Sequence, residues 1–195
     1  GFLVTNANAF KKYQLREGDN AAWVWEHQAL TRARFSAGSK VVGEFFDDVR
    51  SEVLSQKRDV DQLRHEILEM RRKVHAGHPN PTADFDLKHD AGGMVDIEFI
   101  VQFLVLAFSS THPQLIANLG NIALLRIAGE VGLIQASMAQ KVGDAYRLLR
   151  ARQHRLRLDG AEKTRVDLGN EPELVQAREV VLALWQEIFL APSDI

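Results

Sequence analysis

Met94-Val95-Asp96-Ile97-Glu98-Phe99-Ile100-Val101-Gln102-Phe103-Leu104-Val105-Leu106-Ala107-Phe108 is apolar on nearly every face, interrupted only by Asp96, Glu98 and Gln102. A surface helix shows one apolar stripe, so a helix of this kind belongs in the centre of a bundle. Its longest apolar run, Phe99 to Phe108 broken only by Gln102, is about half of the roughly 20 residues a bilayer-spanning helix needs. The stretch therefore predicts the spine of an all-α fold, and no membrane association is expected.

Upstream, Val60, Leu63, Ile67, Met70 and Val74 recur at alternating spacings of three and four, the signature of an amphipathic helix between Arg58 and Gly77. Two heptads are fewer than a stable coiled coil sustains, so the stripe is expected to pack on its own domain. Between this helix and the spine, His78 to Gly93 carries Pro79, Pro81, Gly92 and Gly93 without helical period and reads as a loop.

Other helices are expected around Ala9 to Tyr13, over Ala21 to Phe35, and from about Ser39 through Val53. A short one follows Pro113 to about Leu119, then come Asn121 to Glu130, about Ser137 to Leu158, and Glu171 to Leu190. Asp159 to Gly169 is the other long loop, and no repeat suggests a solenoid. Gly1 to Thr5 is short, apolar and partly β-branched, and reads as a strand without a partner nearby.

Composition narrows the function classes. The 195 residues carry a formal net charge of -2, 46% hydrophobic and 26% charged residues, which gives no electrostatic ground for nucleic-acid binding. There is no cysteine, so a thiolate metal site and a cysteine nucleophile are excluded, and a cytoplasmic location is expected. The histidines form no ligand spacing, and no metal site is assigned.

Two segments carry candidate chemistry. In the first, Asp86-Leu87-Lys88-His89-Asp90-Ala91-Gly92-Gly93 leads into the spine, where backbone N–H groups at the helix start, with Lys88 beside them, could hold a phosphate. A plain turn is the competing reading, since the spacing is not that of a Walker loop. With Gly93 as N-cap, Asp96 falls at the third helical position, where a carboxylate accepts backbone donors. Glu98 lies between Ile97 and Phe99 and needs a partner or an open cleft. It is about 200° from Asp96 around the helix, so the two cannot hold one metal ion together.

In the second segment, Trp23-Val24-Trp25-Glu26-His27-Gln28-Ala29-Leu30-Thr31-Arg32-Ala33-Arg34, a continuous helix puts His27 and Arg34 on one face with Glu26 beside them. A surface ion pair is the simpler reading. Arg147, Arg150, Arg152, Arg155 and Arg157 are spread around their helix and read as a solvated surface.

These segments also resemble a known family. Trp25-Glu26-His27-Gln28-Ala29-Leu30 with Arg32-Ala33-Arg34, and Asp86-Leu87-Lys88 with Gly92-Gly93 and Asp96-Ile97-Glu98-Phe99, are similar to glutamine synthetase adenylyltransferases. The opening residues, Phe10, Tyr13 and Trp185 agree. The likeness is patchy from Lys40 to Asp84 and from Gln135 to Glu171. Departures include a longer Leu15 to Asn20 connection, Val24 for a common threonine, and Gly120 for an acidic residue.

The resemblance implies a helical domain of the adenylylating, C-terminal half, with residues 1–18 as the tail of an upstream nucleotidyltransferase domain and 19–195 as the helical domain. It implies that catalysis, with ATP and Mg²⁺, transfers AMP to a tyrosine of glutamine synthetase on that upstream domain, with removal in the other half. No catalytic residue is expected in this chain, which would be inactive alone. Lys88, Gly92, Gly93, Asp96 and Glu98 would face the active site or support nucleotide, with Glu26, His27 and Arg34 as secondary candidates. Expected partners are glutamine synthetase, the PII signal protein and the chain's own nucleotidyltransferase domain. The competing reading is a purely structural helical interaction module.

Overall fold

The computed structural model describes residues 4–190, and among these the regular elements are helices apart from two short strands. It divides into two compact units, Gly1–Glu66 with Gln102–Leu119, and Ile67–Val101 with Gly120–Ile195. The all-α expectation holds. The expected opening strand falls largely on residues 1–3, outside the described residues; Val4 and Thr5 are not in a strand.

The first unit contains α1 (Ala7–Gln14), α2 (Val24–Leu30), α3 (Lys40–Leu54), the start of α4 (Val60–Ala76), the end of α5 (Met94–Phe108) and a 3-10 turn at Pro113–Ile116. Asn6 starts α1 by accepting the Asn8 N–H at 2.9 Å, as an N-cap does. The helix ends with Glu17 N–H donating to the Lys12 carbonyl and Arg16 N–H to Tyr13, a reversal in which the left-handed position usually holds glycine. Here Arg16 occupies it, with φ 62°, at a cost of roughly 1–2 kcal/mol.

Helix α2 is shorter than its sequence suggests. Glu26 folds back to accept the Trp23 N–H at 2.8 Å and so fixes the start, while the carbonyls at its end are claimed by another helix. Arg50 of α3, 5% exposed, donates Nε to Leu30, Nη2 to Thr31 and Nη1 to Ile116, each at 2.8 Å. A guanidinium on the last carbonyls satisfies a helix C-terminus and complements its dipole. Val49, Val53, Leu54, Leu63, Phe103, Leu106 and Leu115 are among the buried residues of this unit.

The second unit contains the rest of α4, the start of α5, α6 (Asn121–Glu130), α7 (Ala136–Leu158) and α8 (Pro172–Phe189). Helix α7 packs on both α6 and α8. Ile97, Ile100, Leu124, Leu125, Val142, Leu149, Leu174, Val181 and Leu184 form the core. The apolar row of α4 is used inside the chain, with Leu63 and Ile67 buried, as expected for packing on its own domain.

The two stretches read as long loops meet each other. β1 (Phe85–Asp86) pairs antiparallel with β2 (Arg165–Val166), Phe85 opposite Val166 and Asp86 opposite Arg165. Leu87 N–H continues the ladder to the Thr164 carbonyl at 3.0 Å. Two-residue strands have no periodicity to read. The arginines of α7 are surface groups, as expected: Arg147 pairs with Asp144, Arg155 with Asp159, and Arg152 meets Glu171 with two nitrogens.

Candidate functional site

The loop before α5 is tied to itself. Asp86 Oδ1 accepts the N–H groups of Lys88 and His89 at 2.9 and 3.0 Å, and these donors hold its carboxyl below the usual aspartate range against the opposing effect of burial. Asp90 Oδ2 accepts Asp86 N–H at 2.9 Å and Asn80 Nδ2 at 2.7 Å. The stretch is thereby an ordered loop.

At the helix start the backbone donors are already engaged. Gly93 N–H donates to Asp90, Met94 to Leu87, and Val95 to Lys88, all near 3.0 Å, while Gly92 N–H donates to Asp96 Oδ2 at 2.7 Å. The phosphate cradle that the sequence offers at this terminus is therefore filled by the loop's own carbonyls and by Asp96. Asp96 does accept backbone donors, as its position near the helix start suggested.

Asp96 is 3% exposed and its other oxygen takes Arg71 Nε; Arg71 Nη2 reaches the His89 carbonyl at 2.9 Å. A buried pair of this kind, with its remaining atoms hydrogen-bonded, is strongly coupled. The glycines are required by packing. Gly92 has φ +84°, and a Cβ there would stand 2.5 Å from Arg178 Cγ; at Gly93 it would stand 2.9 Å from the Asp90 carbonyl oxygen. Arg178 of α8 holds this side of the loop, with Nε on the Ala91 carbonyl at 3.0 Å and its guanidinium 5.1 Å from the Phe85 ring centre.

Lys88 is the exposed member of the set. Glu98 is half-buried and finds its partner in Tyr146 of α7, whose hydroxyl donates at 3.0 Å. Burial and the Glu98 charge push the Tyr146 hydroxyl above its ordinary range. Sequence reading missed Arg71, Tyr146 and Arg178. Arg71 left a signal, since it lies one turn after Ile67 on the apolar stripe of α4; Tyr146 and Arg178 left none.

In the first unit, Glu26 meets neither His27 nor Arg34. Its carboxylate accepts the Tyr13 hydroxyl at 2.7 Å as well as the Trp23 N–H. Because α2 stops at Leu30, Arg34 lies beyond the helix and is exposed, so the shared face expected for His27 and Arg34 does not form. His27 is fully buried, and Nε2 lies 2.9 Å from the Gln14 carbonyl. Since a carbonyl only accepts, Nε2 carries the proton and Nδ1 is bare, enclosed without a partner. Burial first, then the Arg58 charge, lower its pKa to about 4. Gln28, one residue on, donates Nε2 to Gln102 Oε1 at 3.0 Å.

Among the described residues no three His, Cys, Asp or Glu side chains converge as a metal site would require. Among the described residues no helix is long and apolar enough to cross a membrane.

Comparison with known proteins now bears on the two segments. The chain is 58% identical over 192 residues to the bifunctional glutamine synthetase adenylyltransferase/adenylyl-removing enzyme of Burkholderia pseudomallei, covering 97% of this chain and 20% of that protein. The chain belongs to this family. Proteins of the same name from Aromatoleum aromaticum and Nitrosomonas europaea are 53% and 48% identical, again over 97% of the chain and 19% and 21% of their own lengths. The chain thus spans about a fifth of these relatives. Residues 1–49 match the family described as glutamate-ammonia ligase adenylyltransferase, and residues 61–178 match that described as GlnD PII-uridylyltransferase. The adenylyltransferase family's identity therefore extends over both candidate segments.

Proposed function

We propose that the chain is a helical accessory domain of a glutamine synthetase adenylyltransferase, in the adenylylating half. There it supports an upstream nucleotidyltransferase domain that uses ATP and Mg²⁺ to place AMP on a tyrosine of glutamine synthetase. The observation that carries this reading is the 58% identity over 97% of the chain to a protein named for that activity, of which the chain is only 20%. Residues 1–18 would belong to the tail of the nucleotidyltransferase domain and 19–195 to the helical domain. Removal of AMP in the other half, and response to the PII signal protein, belong to the same reading, as does a cytoplasmic location.

Within it, Asp96, Gly92 and Gly93 frame the loop, while Lys88 and Glu98 present side chains to nucleotide or to the catalytic domain. Glu26 and His27 organise α2, and Arg34 is left exposed for a partner. The test is adenylylation of glutamine synthetase by the intact protein with Lys88→Ala and with Glu98→Ala. Each is expected to lower the rate about tenfold or more, the loss of roughly one charge-assisted hydrogen bond, without unfolding. ATP with Mg²⁺ should slow hydrogen exchange over 86–93.

One observation favours the rival reading of a purely structural module: Asp86, Asp90 and Asp96 all use their carboxylates on the loop's own donors. Wild-type rates in both variants, with exchange unaffected by nucleotide, would establish that reading instead.

A further inference from the structure

A second polar place in the molecule is built in the opposite way. In the first unit a cavity of about 300 Å³ is lined by Arg16, Lys57, Arg58, Asp59, Gln62 and Glu66, among others. Arg16 comes from the left-handed turn that ends α1, and its guanidinium is anchored by Nε on the Ala22 carbonyl at 2.9 Å. Arg58 is half-buried; Nη2 reaches the Val53 carbonyl at 3.0 Å, while Nε is enclosed without a partner.

The two carboxylates of the rim make no direct ion pair with these cations, although the Glu66 charge acts on Arg58 through space. Asp59 Oδ1 caps α4 by accepting the Gln62 N–H at 2.8 Å, and Glu66 Oε1 accepts Gln62 Nε2 at 2.7 Å. Among the described residues, neither Arg16, Lys57 nor Arg58 has an ion-pair partner. Burial and the charge of Arg16 lower the Arg58 pKa to about 10, against the opposing charge of Glu66. The fully buried His27 feels both guanidinia as well. Like charges held together with one partly desolvated oppose folding unless an anion joins them.

We propose that Arg16, Arg58 and Lys57 form a binding site for a phosphoryl group, at the pocket beside the start of α4. Two forked guanidinia with an ammonium give directed donors and three positive charges, offset in part by Asp59 and Glu66, and forked donors suit a tetrahedral oxyanion better than a single carboxylate. The volume lies at the small end of ligand sites, as suits inorganic phosphate or the terminal phosphate of a nucleotide. This site shares no residue with the loop before α5 and does not rest on the function proposed above.

The experiment uses the intact protein without divalent cation. Binding is read by ³¹P line broadening and by the thermal shift that phosphate produces at constant ionic strength, with ATP, adenosine and glutamate as comparisons. Phosphate or ATP is expected to bind, with adenosine and glutamate inert. Arg58→Gln and Arg16→Gln should each weaken that binding at least tenfold, and Arg16→Lys should restore part of it. Response to phosphate alone or to ATP alone identifies the source, and either supports the site. Should Arg58→Gln fail to fold by circular dichroism, Arg16→Gln and Lys57→Gln, both at exposed positions, carry the same comparison. Equal affinity in the wild type and the variants overturns the proposal. So does the absence of any phosphate response, which would mean that carboxylates elsewhere in the intact protein pair with these arginines.

Discussion

The starts of α4 and α5 differ in how their polar groups are satisfied. Before α5, glycines, aspartates and a lysine suggest a ligand site, yet the backbone donors from Gly92 to Asp96 have internal acceptors and Asp96 is locked to Arg71. Before α4, an unremarkable Gln56-Lys57-Arg58-Asp59 run lies in a pocket whose guanidinia make no direct ion pair among the described residues and where Arg58 Nε has no partner. The aspartates and glycines before α5 hold that loop together, whereas the pocket before α4 lies where no motif marks it. Internal satisfaction is what separates the two.

The largest test of this difference is Asp96→Ala. It strands a buried guanidinium and the Gly92 N–H, and is expected to cost about 3–5 kcal/mol in denaturant unfolding. A double-mutant cycle with Arg71→Ala should then recover much of that cost. A loss under about 1 kcal/mol would show that the α5 start is not held together from within.

The next effect belongs to the first unit. Folded His27 has a pKa of about 4, while the unfolded side chain titrates near 6.5. Between these values the unfolded state binds more protons, so stability is full above about pH 6.5 and falls as pH drops toward 4, on the order of 3 kcal/mol in all. Urea midpoints across that window measure it. His27→Gln should flatten the slope, and an unchanged slope would place the proton elsewhere.

The smallest effect separates two changes at Arg16. Arg16→Ala loses the bond to Ala22 and keeps the left-handed strain, whereas Arg16→Gly loses the bond and relieves the strain. Glycine should therefore be more stable than alanine by about 1 kcal/mol, and near wild type. Equal midpoints for the two variants would contradict the backbone reading of this turn.

Legibility in the sequence followed the length of the signal. Helices α5 and α6 were readable to the residue, because an apolar pattern sustained over ten or more positions averages out local exceptions. Helix α2 was not, because its limits are set by Glu26 closing on Trp23 and by Arg50 arriving from α3. The same shortfall misplaced Arg34. The loop was found as a segment, with Asp96 rightly near the helix start, but its partners Arg71, Tyr146 and Arg178 come from three other helices and left almost no local trace. The Arg16 and Arg58 pocket joins residues over forty positions apart, each ordinary in its own surroundings.

Arg50 has a consequence for how the first unit assembles. Its three acceptors, Leu30, Thr31 and Ile116, lie 20, 19 and 66 positions away along the chain. No partly folded form that buries α3 without both distant segments can satisfy the guanidinium, and such a form carries a desolvated charge with missing contacts. The side chain thus penalises half-assembled states more than it rewards any one contact. Unfolding of these segments becomes a joint event.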